Sequence, residues 1–226
     1  MDKEYTKKSS PHYDYFYFKD SLAEKEIEKI IDIQESAYQK ILKFLNVKND
    51  RKIKYYLYPS NKIKGEITGD DGNGHTVREK FEVHAVYTDK VKCIGAHEDT
   101  HLLSTTLGLP PQLLREGLAE YMSGTWDGKS HDEWASQFLI EDKMLDLLQI
   151  IDDEEWYEQD DTISYPSAGS FVGYLIKKLG KEKFLELYRA LNRDFSPKKN
   201  EAIFQKITDS IIQEIQTAWQ NDLENK

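Results

Sequence analysis

The rhythm of apolar and polar positions changes along the chain. From Ser21, the residues Ile27, Ile30, Ile31, Ala37, Ile41 and Leu45 recur at helical spacing, which predicts one long helix. Ser21 is its expected N-cap, and Glu24 three residues on completes a capping box. Residues 1–19 are polar and then aromatic, ending in YDYFYF, and read as an irregular arm or edge strand. The alternation of KIKYYLYP over 52–59 predicts a strand ended by Pro59, and FEVHAVYTD over 81–89 predicts a second. Between them, GDDGNG at 69–74 predicts a turn or hairpin loop. Helical spacing then dominates, over 92–106, 111–123 and 131–149, with a break from Gly108 to Pro111. An acidic loop over 152–161 and helices near 165–179, 181–192 and 208–221 finish the chain.

This order predicts an α+β fold in one domain. A small N-terminal sheet lobe with a long helix occupies 1–90, and a helix-rich lobe occupies 91–226. The length of 226 residues suits one substantial domain. Neither an internal repeat nor a low-complexity linker interrupts it.

Composition narrows the function classes. The net charge of -10 argues against nucleic acid as the main partner, because phosphate binding needs a basic stripe. No apolar run approaches the roughly 20 residues that span a bilayer. The opening MDKEYTKKSS lacks the apolar core of a signal peptide, so a cytoplasmic location is the default expectation unless a leader has been removed. The single Cys93 excludes an internal disulfide and a thiolate zinc site. Any metal must therefore be held by histidine and carboxylate.

Residues 97–101 read His-Glu-Asp-Thr-His. On a helix, positions four apart share a face, so the His97 and His101 imidazoles can reach one zinc ion. Glu98 is turned by about 100° and can take a proton from metal-activated water without ligating the ion. Zinc lowers the pKa of such water from 15.7 towards roughly 7, within reach of a carboxylate base. A catalytic zinc also needs a third protein ligand. After Gly108-Leu109-Pro110-Pro111 comes LLREGLAEYMSG, where a helix turned back by the break could bring Glu116 to the histidine pair. Glu120, one turn further on the same face, suits a carboxylate that hydrogen-bonds a ligand imidazole.

HEDTH followed, with 14 residues between them, by EGLAEY resembles the gluzincin zinc metallopeptidases, the thermolysin-like and aminopeptidase-like superfamily. Over roughly residues 81–190 it is similar to small bacterial members. The resemblance implies a zincin-like fold with the active site between two lobes, and one Zn2+ held by His97, His101 and Glu116. Glu98 would be the general base and Glu120 the support of a ligand histidine. The substrate would be a peptide or protein, lying along the strand before the zinc helix, for which FEVHAVYTD is the candidate. A donor to the oxyanion is expected from the later helices, with Tyr165 first and Tyr121 and His131 behind it. The chain lacks a G-x-M-E-N type motif and is far shorter than the best-studied members.

Other readings compete at single positions. Asp127 in GTWDG is an alternative third ligand, His84 reads as a half-buried strand residue, and Cys93 reads as core. His12 and His75 fall in expected loops. The rival functions are a catalytically silent zinc-bearing binding module, a zinc amidohydrolase acting on a non-peptide amide, and a helical protein in which the motif is fortuitous.

Overall fold

The computed structural model describes residues 5–225. It is α+β, with a five-stranded sheet in the N-terminal part and helices thereafter. The chain divides after Ser104 into two compact units, and the helix bearing His97 and His101 belongs to the first.

The first unit comprises β1 (Tyr5–Ser9), β2 (Tyr13–Phe18), α1 (Leu22–Lys25), α2 (Ile27–Leu45), β3 (Ile53–Tyr58), α3 (Asn61–Thr68), β4 (Gly74–Val77), β5 (Glu82–Val86) and α4 (Ala96–Ser104). The strands lie in the order β1-β2-β3-β5-β4; the two edge pairs are antiparallel and the inner two parallel. Alternation sends Tyr13, Tyr15 and Tyr17 of β2 and Ile53, Tyr55 and Leu57 of β3 to the buried face. Of the expected arm over 1–19, the described part is a hairpin: β1 is an edge and β2 lies inside the sheet. Residues 1–4 fall outside the described residues.

Three local expectations change. The long helix from Ser21 is two helices, parted at Glu26, whose backbone leaves helical geometry. Ser21 does cap α1 by accepting from the Glu24 N–H at 3.2 Å. The Glu24 carboxylate accepts instead from the Asp20 N–H at 2.6 Å, so the capping box is half formed. The stretch before GDDGNG is helical too, because Ser60 caps α3 by accepting from the Ile63 N–H. The following loop closes on Lys64, whose fully buried ammonium binds the Asp70 carboxylate at 2.5 Å and the Asp70 carbonyl at 3.0 Å. Finally, β5 is no edge. It lies between β3 and β4, and the short β4, concealed in a Gly/Asn-rich stretch, is the edge strand on that side.

The second unit comprises α5 (Gln112–Ser123), the two-residue strands β6 (Thr125–Trp126) and β7 (Lys129–Ser130), α6 (His131–Ile140), α7 (Leu147–Ile150), α8 (Asp153–Tyr157), α9 (Asp161–Leu179), α10 (Lys181–Ala190), α11 (Pro197–Thr208) and α12 (Ile212–Glu224). The expected helix over 131–149 breaks beyond Ile140, and the acidic loop over 152–161 holds α8. The single helix expected near 208–221 is α12, preceded by α11, which Ser196 caps and Pro197 starts.

Helices α5 and α9 form the centre of this unit, and Gly117 sets their approach. A Cβ there would lie 2.6 Å from the Ala168 carbonyl oxygen and 2.6 Å from Val172 Cγ2. Backbone cannot swing aside as a side chain can. Gly117→Ala should therefore cost about 1–3 kcal/mol through overpacking, of which alanine's better helix propensity returns at most about 1 kcal/mol. Thermal melting should show a lowered Tm; an unchanged Tm would mean that the two helices part freely.

Candidate metal centre

Helix α4 is anchored through three buried groups, its own Asp99 and the Gln34 and Tyr13 side chains of two other elements. Gly95, at φ +107°, turns the chain into the helix, and its N–H donates to the Gln34 side-chain oxygen. The Gln34 amide donates to Asp99 Oδ2 at 3.0 Å. The Tyr13 hydroxyl lies against Asp99 Oδ2 and 3.0 Å from the Gln34 carbonyl. Asp99 is fully buried, and burial pushes its carboxyl up to about 8 against the opposing hydrogen bond from Tyr13. Sequence reasoning missed all three groups. The available signal was Gln34 itself, a polar residue between Ile30 and Tyr38 on the buried stripe of α2.

Residues 92–95 are thus not helical, contrary to the expected span of 92–106. Cys93 donates its N–H to the Val86 carbonyl at 3.0 Å, extending the edge of the sheet before the chain turns. Its thiol lies beside Glu98, and burial, with the Glu98 charge, pushes the thiol up strongly.

On α4 the two histidines face each other as their spacing predicts. Their Nε2 atoms are 3.2 Å apart, with the rings at 79°. Two nitrogens on a tetrahedral zinc, each about 2.0–2.1 Å from the ion, stand roughly 3.3 Å apart. The pair therefore has the separation that a shared ion requires, although a single N–H···N hydrogen bond between the rings would have a similar length. Glu98, 8% exposed, is on the same helix. Glu116 of α5 is also buried, and one ligand atom each from His97, His101 and Glu116 lies within 4.8 Å of the others. No other trio of His, Cys, Asp or Glu among the described residues meets that condition. These donors, two imidazoles and a carboxylate, fit a zinc ion with an open fourth position.

The remaining expected site residues fall as follows. Glu120 is buried and binds His131 Nε2 at 2.7 Å, so His131 is held as its partner. Tyr165 does not open its helix but sits in the second turn of α9, behind the Asp160 cap. Its ring lies between Trp126 and Trp156, at centroid distances of 5.5 and 5.8 Å. Tyr121 is half-buried and, with His131, Asp132, Ser170 and Lys177, borders a hollow of about 290 Å³ within the second unit. Asp127 is exposed at φ +46°, followed by Gly128 at +79°, as the Asp-Gly of a tight hairpin between β6 and β7. That turn accounts for GTWDG without a ligand.

His84 is a sheet residue, stacked between Tyr56 and His75 and hydrogen-bonded to the Tyr58 hydroxyl at 2.8 Å. Burial lowers its imidazole to about 4. His12 pairs with Glu35 and stacks on Tyr38, while His75 lies on β4 rather than in a loop.

Compared with protein-family models and with curated proteins, the chain matches none. A functional reading must come from the site.

Proposed function

We propose that this protein is a zinc-dependent hydrolase of the gluzincin type, a peptidase in its simplest form. The observation that carries the reading is the His97–His101 pair, held one helical turn apart at the 3.2 Å separation of a tetrahedral site with Glu98 beside it. Glu116 supplies the third donor and completes the set that a catalytic zinc takes. The ion, when bound, supplies Lewis acidity that polarises the carbonyl and makes water acidic enough to react near neutral pH.

The protein's own residues do the rest. Glu98 takes the proton from the attacking water and delivers it to the amide nitrogen as the carbon–nitrogen bond breaks. Glu120, itself tied to His131, serves as the supporting carboxylate. Tyr165 is the proposed donor to the oxyanion. An extended peptide would add to the outer side of β4, the edge strand, in place of the interior strand β5. The intact Glu98 counts against a silent metal-binding module, which has no use for a buried base.

The test is metal removal. Purified protein should contain about one equivalent of zinc and cleave members of a quenched-fluorescent peptide library. A chelator should abolish cleavage and added zinc restore it. Zinc at one equivalent with no cleavage of any peptide, but turnover of a small amide, would move the assignment to a non-peptide amidohydrolase.

A further inference from the structure

We infer that Gly74, on the edge strand β4, is a positioning residue for Glu98: the side chain it lacks would occupy the place where the general-base carboxylate lies. The inference rests on the reading of Glu98 as the base of a zinc hydrolase. A Cβ built on Gly74 would stand 2.6 Å from Glu98 Oε1, 3.2 Å from Glu98 Cδ and 2.4 Å from Cys93 Sγ. Strand register gives the reason. Gly74 pairs with Ala85, whose side chain is fully buried, whereas the neighbouring His75–His84 pair points to the opposite face. A side chain at position 74 would thus project towards α4, where Glu98 and the Cys93 thiol converge.

Backbone conformation does not explain a glycine here. Gly74 is in a strand and is not among the positive-φ residues, so alanine can adopt its dihedrals. What alanine would displace are the ends of two flexible side chains, a carboxylate and a thiol, unlike the backbone oxygen that faces Gly117. The displacement costs the fold little and moves the base. To reach ordinary contact the Glu98 carboxylate must retreat by about 1 Å, and a misplacement of that size can cost about a hundredfold in turnover. β4 therefore sets the reach of the base as well as offering an edge for substrate.

The experiment compares wild type, Gly74→Ala, Glu98→Gln and the double variant. Gly74→Ala should keep its zinc content, because it touches neither His97 nor His101, and should lose only a few degrees of Tm, because what it displaces are side-chain ends and not backbone. Its crystal structure should show the Glu98 carboxylate displaced and β4 still paired with β5. With a cleaved peptide, kcat should fall roughly tenfold to a hundredfold at unchanged KM. In the Glu98→Gln background the same alanine should cost nothing further, a non-additivity that a purely structural defect would not give. Glu98 unmoved in the variant structure, or full additivity of the two losses, would overturn the inference. If wild type cleaves nothing, the peptidase reading fails by itself, and the crystal structure still decides whether Gly74 governs the position of Glu98.

Discussion

His97→Ala should lose tightly bound zinc altogether, leaving a folded protein that elemental analysis finds metal-free after dialysis. A structural zinc with four protein ligands is bound by about 10–16 kcal/mol, so one ligand's share is roughly 3 kcal/mol, more than a hundredfold in affinity. The loss should be larger here than in a four-ligand site, because three protein donors leave no spare. Zinc titration against a competing chelator measures it directly. The imidazole of His97 is half-buried on the face of α4 opposite the Asp99–Gln34–Tyr13 contacts, so the helix should stay anchored and Tm should fall little in the metal-free state. Wild type and His97→Ala equally devoid of zinc, even after zinc is supplied, would mean that the 3.2 Å contact is a hydrogen bond between imidazoles and the motif is fortuitous.

The contrast between what this site shows in sequence and what it hides follows from the range of each interaction. His97, Glu98 and His101 are fixed to one another by the helical repeat, so spacing alone places them. The anchoring of that helix is not local. Gln34 and Tyr13 come 65 and 86 residues before Asp99, and only folding brings them to its carboxylate. The same division runs through the fold. Strands β3 and β5 alternate over five or six residues and are legible, whereas β4 has four residues without a clear alternation and is recognisable only once it pairs with β5. Its identity as the edge strand could not come from periodicity, because order in a sheet is a matter of pairing partners.

Some misses were legible. Ser60 before α3, Ser196-Pro197 at the start of α11, and Asp160 before α9 are ordinary start signals that the apolar spacing overshadowed. Reading Asp160 as a cap moves Tyr165 from the mouth of its helix into the second turn, between two tryptophans. The acidic run over 152–161 has the same explanation, since Asp152 caps α8 and Asp160 caps α9 through their carboxylates. A run that looks like solvated charge in composition is two helix starts in detail.

Glu98→Gln separates metal binding from chemistry, and here the expected loss is greatest. Glutamine keeps the volume and a hydrogen-bonding end, so the 8% exposed side chain can stay in place and α4 need not move. It cannot accept a proton from water at any pH near neutrality. The variant should bind zinc as wild type does, while turnover falls by about 10²–10⁴, the usual contribution of a positioned general base. The loss should be in kcat, with KM little changed, because the role proposed for Glu98 is on the proton in flight and not on the bound substrate. Stopped assays over a day on the peptides that wild type cleaves would detect even the lower bound. Retention of zinc with full activity would leave the ion as the Lewis acid and remove Glu98 from the mechanism. The burden would then shift to another group able to take the proton, and since Glu116 is the proposed third ligand, the gluzincin assignment itself would have to be abandoned.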